Sequence, residues 1–294
     1  MTQGGFATST GHQFSAGDWL DLHFEINAAE YAKLVAMAGF EPGWHVLDAG
    51  SGSGSYLKSL AGEVGVTGKL TALDLAPENV ALVEARVASE GLEPDVDAVT
   101  GSILDVPFPE DSFDGVWCAN VTQYLTDDEL CDAIAEFGRV VRPGGIIALK
   151  DYSLQLTTYN PIPSYYAEHF QEAELAGGSI GLIGGLRSWR FRAFLTEAGF
   201  EKVWQQAFII EHRAPLKPAV KQYHGDFLSW CAGRALESSL PAEEHAFWRT
   251  QLDPTSSDAI VNHEDFYVAE GQMLAVGRVP AVLTNALRNE GDSS

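Results

Sequence analysis

The stretch VLDAGSGSGSYL, Val46 to Leu57, decides how the chain is read. A short apolar run leads into Asp48, then Gly50, Gly52 and Gly54 fall at alternate positions, and an amphipathic stretch follows. The apolar run predicts a buried strand and the amphipathic stretch a helix. Glycines between them let the backbone turn tightly and approach a ligand where a Cβ would collide. Something is therefore expected to bind at the C-terminal end of this strand. The turn alone does not choose its ligand, because Gly50, Gly52 and Ser55 come within one residue of the Gly-x-Gly-x-x-Gly fingerprint of dinucleotide-binding folds.

The flanking sequence narrows the choice. KLTALDLAPENV predicts a second strand ending at Asp74, followed by a helix that Pro77 can open and Gly91 can close. Asp74 lies 20 residues beyond Gly54. At that spacing an acidic side chain meets the first turn from the neighbouring strand end and can accept hydrogen bonds from both hydroxyls of a ribose. The alternative is a carboxylate that serves its own helix N-terminus. A third strand, DVDAVTG, runs into Gly101, Ser102 and Ile103, and LDVPFPEDSFDGVWCAN then carries a Pro-Phe-Pro turn, an acidic loop and an apolar strand ending at Asn120. Asp127 and Asp128 open the next helix, DDELCDAIAEFGRVV, as cap and dipole partners. Arg142, Pro143, Gly144 and Gly145 turn the chain into a fifth strand, IIALKDYS.

Asp48-x-Gly50-x-Gly52-x-Gly54, the segment from the Pro-Phe-Pro turn to Asn120, and the Arg-Pro-Gly-Gly turn together resemble class I S-adenosylmethionine-dependent methyltransferases. The resemblance is to the small-molecule branch that includes quinone-biosynthesis enzymes, and it covers about residues 40 to 153. It implies an α/β fold with a Rossmann-like seven-stranded sheet in the order 3-2-1-4-5-7-6, the last strand antiparallel, helices on both faces and a helical cap. WRFRAFLTEAGF would be a helix, and EKVWQQAFIIEHR and DFYVAEGQMLAVGRV the last two strands. The implied cofactor is S-adenosylmethionine, with S-adenosylhomocysteine as product. A carboxylate at Asp48 suits its ammonium and would repel a pyrophosphate. The resemblance implies cofactor contacts from Asp48, Gly50, Ser51, Gly52, Asp74, Leu75, Ser102, Ile103, Asn120 and Gln123. Leu75 and Ile103 would meet the adenine, the backbone near Asn120 the methionine amino group, and Gln123 stands where the family often has His or Gln. Ser102 is a departure, since that position is commonly Asp; its side chain would reach less far.

Bulk properties agree with a small-molecule substrate. A formal net charge of -23 with only 18 Lys and Arg argues against nucleic acid, which draws affinity from clustered basic residues. The tetrad Asn160-Pro161-Ile162-Pro163 looks like the motif of amino-methylating nucleic-acid enzymes but stands after the wrong strand. Cys118, Cys131 and Cys231 have neither disulfide nor metal-ligand spacing, which fits a reducing cytoplasm. No membrane-spanning run or signal peptide is evident.

At 294 residues we expect one elaborated domain. Residues 1–40 would be a tail and cofactor-covering helices; 41–213 and 264–280 the core, with a lid insertion at about 154–187; 214–263 a helical cap insertion; and 281–294 a flexible tail. Loops at this end of such a sheet overhang the ligand. Tyr124, Tyr152, Tyr165 and Trp189 are therefore substrate-pocket candidates, with Tyr159, Tyr166 and Phe170 beside them, and Gly177, Gly178, Gly181, Gly184 and Gly185 suggest a lid hinge or a flexible connector. His212, His224 and His263 are candidate bases. Trp230 and Trp248 could anchor a homodimer through the cap. The expected activity is metal-independent methyl transfer to a small aromatic or apolar metabolite. The rival readings are a non-methylating relative that uses the cap for a cyclisation or for ligand binding, and a nicotinamide oxidoreductase.

Overall fold

The computed structural model describes residues 8–11 and 15–281. Of the expected C-terminal tail, all but Ala281 lies outside the described residues. Seven strands form one sheet: β1 (His45–Ala49), β2 (Lys69–Asp74), β3 (Asp95–Thr100), β4 (Phe113–Ala119), β5 (Val141–Asn160), β6 (Glu201–Arg213) and β7 (Tyr267–Arg278). Their order is β3-β2-β1-β4-β5-β7-β6, as expected. The first five pair in parallel, and β7 runs antiparallel to both β5 and β6.

The apolar run of β1 is buried on both faces because alternate side chains serve two layers. Leu47 joins a cluster with Phe137 of α4 (Asp127–Val140) and Phe191 of α7 (Phe191–Glu197). Val46 joins the opposite cluster with Tyr31 of α1 (Gly17–Ala38), Leu57 of α2 (Leu57–Val64) and Val83 of α3 (Pro77–Glu90). Helix signals mostly fall where the sequence places them, except that Asp127 and Asp128 lie in the first turn of α4 and do not cap it. Gly39 ends α1 in the left-handed region, Pro77 opens α3, and Thr126 with Glu129 makes a capping box at the start of α4.

Two expectations change. The fifth strand does not stop near Ser153: β7 continues beside it past an irregularity between Ser153 and Thr158, and pairs Thr158–Asn160 with residues 267–269. The start of the expected lid is thus sheet. Part of the glycine-rich run is also helical: Gly181, Gly184 and Gly185 lie in α6 (Ile180–Arg187), packed on the turn at Thr122–Tyr124, while Gly177 and Gly178 join it to the preceding helix. A Cβ at Gly184 would lie 2.2 Å from the Gln123 carbonyl oxygen, so the glycine allows contact between backbones. Arg187, buried, secures that contact by donating to the carbonyls of Thr122 (2.6 Å) and Leu125 (3.0 Å) and to Asp127 (2.8 Å).

The cap draws on both insertions. α5 (Ser164–Ala176) packs against α8 (Pro218–Glu237) and α9 (Ala242–Thr250). Phe170 meets Trp248 at 5.2 Å between centroids, Arg234 pairs with Glu174 at 2.6 Å, and His169 with Glu244 at 2.7 Å. Trp248 is buried inside this body, so it does not offer the dimer anchor that the sequence suggested.

Candidate cofactor and acceptor site

The loop after β1 turns with Gly50, Gly52 and Gly54 at φ 77°, 54° and 79°, a region that L side chains avoid. A Cβ at Gly50 would come 2.3 Å from Val121 Cγ2, and one at Gly52 2.6 Å from Leu20 Cδ1 of α1. Glycine is required here first for close packing of the protein around the turn. Asp48, at the end of β1, is buried, and its Oδ2 has no hydrogen-bond partner. Burial, and secondarily the charge of Asp74, pushes its carboxyl up to about 8. A buried carboxylate in that condition fits an ammonium group, which would satisfy both the orphaned oxygen and the charge.

Asp74, at the end of β2, accepts from the Gly52 N–H at 2.8 Å through Oδ2, and from the Ala76 N–H (2.9 Å) and Asn79 Nδ2 (3.2 Å) through Oδ1. It stands beside the turn, as its spacing predicts, and its bonds reach both the turn and the residues that open α3. Leu75 next to it is 52 % exposed, an apolar face at the crevice rim. Ile103 is buried after β3, and the Ser102 hydroxyl accepts from the Leu104 N–H at 3.1 Å, so it shapes the loop. Ser51 is buried with an unpartnered hydroxyl.

Helix α1 closes over this turn. Asp21 Oδ1 accepts from the hydroxyls of Ser53 (2.6 Å) and Ser55 (2.8 Å) and from Arg86 (2.6 Å), whose Nε also donates to the Ser53 carbonyl at 3.0 Å. The covering role expected of the N-terminal segment thus has a defined attachment.

Just past the end of β4 and beside the middle of β5, Asn120 sits at φ 59° and accepts from Lys150 Nζ at 2.7 Å through Oδ1. Gln123 Nε2 donates to the Asn120 carbonyl at 3.1 Å. Asp151, fully buried, holds the segment between them. Its Oδ2 accepts from Thr122 Oγ1 (2.7 Å) and the Gln123 N–H (3.0 Å), and its Oδ1 accepts from the Tyr152 N–H (2.9 Å). Lys150 is also fully buried, with Nζ 4.1 Å above the Tyr31 ring, and burial lowers its ammonium to about 7.

A buried polar cluster, which we call the chamber, continues from here between α1, α8 and the β5–β7 pair, and is closely packed around Glu270. Its carboxylate contacts His23 Nε2 at 3.1 Å and accepts from Gln272 Nε2 at 2.6 Å. Burial works to raise Glu270, but the hydrogen bond and charge of His23, with other nearby charges, outweigh it and hold the carboxyl at about 2. Tyr31, Tyr56, Tyr152, Tyr159 and Tyr223 all have their phenols raised by burial, with the negative charge of Glu270 adding to it in each. Tyr56 also feels Asp48 and Asp151, so it joins the cofactor crevice to the chamber. Two fully buried groups here carry unpartnered atoms, His224 Nε2 and Gln272 Oε1.

Of the substrate-pocket candidates, Tyr152 faces this chamber. Tyr124 lies within electrostatic reach of Asp151 and Tyr223. Tyr165 and Trp189 do not join them: Tyr165 is 48 % exposed on α5 against Tyr166 and His169, and Trp189 is 58 % exposed on the surface. Aromatic residues in an insertion serve its outer face as readily as its inner one. His224 hydrogen-bonds Tyr159 at 3.1 Å, and burial takes its imidazole down to about 3, which suits a neutral hydrogen-bonding ring better than a base. His212, also lowered by burial, is engaged with Asn27 at 2.9 Å. His263 is exposed near Ala214 and Leu216, where it accepts from the Asp265 N–H, and takes no part in the site. Sequence reasoning passed over His23, Lys150, Asp151 and Glu270. The detectable signal was the Lys-Asp pair inside the apolar run IIALKDYS.

Among the described residues no cluster of His, Cys, Asp or Glu could hold a metal ion, and no helix is long and apolar enough to cross a membrane. The family described as "Methyltransferase domain" matches residues 46–145. A demethylmenaquinone methyltransferase of Symbiobacterium thermophilum is 30 % identical over 131 residues, 45 % of this chain and 48 % of that protein. The ubiquinone/menaquinone biosynthesis C-methyltransferase UbiE of Ectopseudomonas mendocina is 28 % identical over 185 residues, 58 % of this chain and 70 % of that one. The chain thus spans about half the length of the first relative and 70 % of the second. Among solved structures, a Bacillus halodurans C-125 protein provisionally described as a methyltransferase shares the fold, with TM-score 0.55, 19 % identity, and coverage of 86 % of this chain and 99 % of that one. The turn, the sheet order and the family match over residues 46–145 support a class I S-adenosylmethionine-dependent methyltransferase domain, similar in sequence to those of quinone biosynthesis.

Proposed function

We propose that the protein transfers a methyl group from S-adenosylmethionine to a small aromatic or apolar metabolite without a metal. The observation that carries this reading is Asp48, buried with an unpartnered Oδ2 beside the glycine turn and next to a buried cluster of tyrosines around Glu270. S-adenosylmethionine, when bound, supplies a methyl carbon already activated by a sulfonium. The chain's task is then to align an acceptor with that carbon and to exclude water.

Asp48 holds the ammonium end. Asp74 accepts from the ribose while it steadies the turn, and Leu75 and Ile103 flank the adenine. The backbone near Asn120, fixed by Lys150 and Gln123, would hold the methionine amino group together with Asp48. Helix α1 closes the crevice through Asp21, and Tyr31, Tyr152, Tyr159 and Tyr223 provide flat walls for an aromatic ring. Relatives named for demethylmenaquinone and for ubiquinone/menaquinone C-methylation support a ring-bearing acceptor. The free thiols of Cys118, Cys131 and Cys231 support a cytoplasmic location.

Titration calorimetry with S-adenosylhomocysteine, followed by incubation with methyl-labelled cofactor and a panel of phenols and quinols, tests the reading. We expect tight binding and label in the small-molecule fraction. Binding of NADH without binding of S-adenosylhomocysteine would overturn it. Product formed with the label retained on the cofactor would favour a non-methylating relative.

A further inference from the structure

We propose that His23 is the proton acceptor for a substrate bearing an aromatic hydroxyl, held in place by Glu270 and Tyr31 and carried into the chamber by the helix that covers the cofactor turn. The inference rests on the methyl-transfer reading and adds to it a base and a substrate class.

Three observations converge on His23. Its Nε2 lies 3.1 Å from Glu270 Oε1 and 3.0 Å from the Tyr31 hydroxyl. Its ring stacks on Tyr223, with centroids 4.9 Å apart and planes 7° from parallel. With Nε2–H donated to the carboxylate, the basic lone pair stands on Nδ1. The ring also retains access: the His23 side chain is 14 % exposed against 3 % for Glu270, whereas Lys150 and His224 are closed off. Other nitrogens here are engaged, Lys150 Nζ with Asn120 and His212 Nε2 with Asn27.

The position on α1 matters as much as the partners. Asp21, fastened to Ser53, Ser55 and Arg86, lies two residues before His23. The bonds of Asp21 to the cofactor turn thus fix α1 in the register that places His23 on Glu270. The buried charges favour a neutral substrate, since Glu270 already has Lys150 near it.

The step balances as follows. The hydroxyl O–H bond breaks, its proton goes to His23 Nδ1, and its electron pair stays on oxygen or is shared with a ring carbon. That atom bonds to the methyl carbon while the electron pair of the broken methyl–sulfur bond remains on sulfur. Glu270 stays ionised beside the new imidazolium, which after O-methylation releases its proton to water. After bonding at a ring carbon, that carbon's hydrogen leaves to water as a proton and the imidazolium returns its proton to oxygen, restoring the aromatic ring.

The test uses the full chain with S-adenosylmethionine, catechol, hydroquinone and 1,4-dihydroxynaphthalene as acceptors, and the variants His23→Gln, His23→Ala and Glu270→Gln. Groups facing His23 whose titration enters the profile are Glu270 on β7, His212 on β6, Tyr223 and His224 on α8, Lys150 on β5 and Tyr31 on α1. We expect H23Q to lose about 100- to 10,000-fold in kcat, the usual span for general-base assistance. It should bind S-adenosylhomocysteine as the unsubstituted chain does, and lose the acid limb of the kcat/KM–pH profile. Added imidazole should restore turnover to H23A and not to E270Q. Should H23Q fold poorly by near-ultraviolet dichroism, the H23A rescue decides. An unchanged profile in H23Q, no rescue of H23A, or failure of the unsubstituted chain to methylate any of the three phenols would overturn the proposal. Absence of S-adenosylhomocysteine binding by the unsubstituted chain would instead overturn the methyl-transfer reading beneath it.

Discussion

Asp74 Oδ2 and the Gly52 N–H meet at 2.8 Å, so the end of the second strand pins the turn that follows the first. One carboxylate thereby serves a structural bond within the protein and faces the site proposed for the ribose. Asp74→Ala should weaken S-adenosylhomocysteine binding by about 1 to 3 kcal/mol, the range for hydrogen bonds to a charged group. Calorimetry checks this, and unchanged affinity would separate Asp74 from the cofactor.

Asp48 gives a prediction with a definite sign in pH. Its folded-state carboxyl stands at about 8 against an ordinary 3.8, so between those values the native chain holds a proton that the unfolded chain releases. Stability without cofactor must then fall as pH rises through that window. Asp48→Asn should remove the fall and raise stability at pH 8 by about 1 to 3 kcal/mol, the cost of a buried polar group left unpaired. At pH 4 the two chains should unfold at nearly the same temperature. The same substitution should abolish tight cofactor binding.

Pairing Asp48 with an ammonium should also ionise it. Near pH 6.5 we expect binding of S-adenosylhomocysteine to release about one proton. Calorimetry in buffers of different ionisation enthalpy reads this directly, and D48N should release none.

Gly184 tests the packing of α6. A Cβ there would lie 2.2 Å from a backbone oxygen of Gln123, a contact that no rotamer change relieves. Gly184→Ala should cost at least about 1 to 3 kcal/mol. Because Gln123 reaches Asn120, S-adenosylhomocysteine affinity should drop as well, while Gly181→Ala, with open space at its Cβ, leaves both nearly unchanged.

Asp151 accepts three hydrogen bonds from groups just past the end of β4 and in the middle of β5. Asp151→Asn turns one acceptor into a donor facing either the Tyr152 N–H or the Thr122 and Gln123 pair. We expect a loss of about 1 to 3 kcal/mol in denaturant unfolding, as for a buried donor left unsatisfied.

The cofactor half was legible because its signals are local. Strand, glycine turn and helix follow one another within VLDAGSGSGSYL, and the spacing to Asp74 is fixed by a single strand–helix–strand unit. The acceptor half is assembled from α1, β5, β7 and α8, so His23, Lys150, Glu270 and His224 become neighbours only after long-range pairing. Composition drew attention to Tyr165 and Trp189, which face solvent, and away from His23, a lone histidine in an amphipathic helix. The length of β5 was hidden for the same reason: its extension depends on β7, more than a hundred residues further along the chain.

Arg213 and Tyr267 are paired across β6 and β7, and the Ala214 N–H donates to the Phe266 carbonyl at 2.8 Å. The excursion carrying α8 and α9 therefore leaves and re-enters the sheet at touching points. Splicing another excursion between those points would barely alter the entropy of closing the loop. Kindred enzymes could trade this module like an interchangeable tool head, acquiring a new clientele of acceptors while the nucleoside-gripping half is inherited intact.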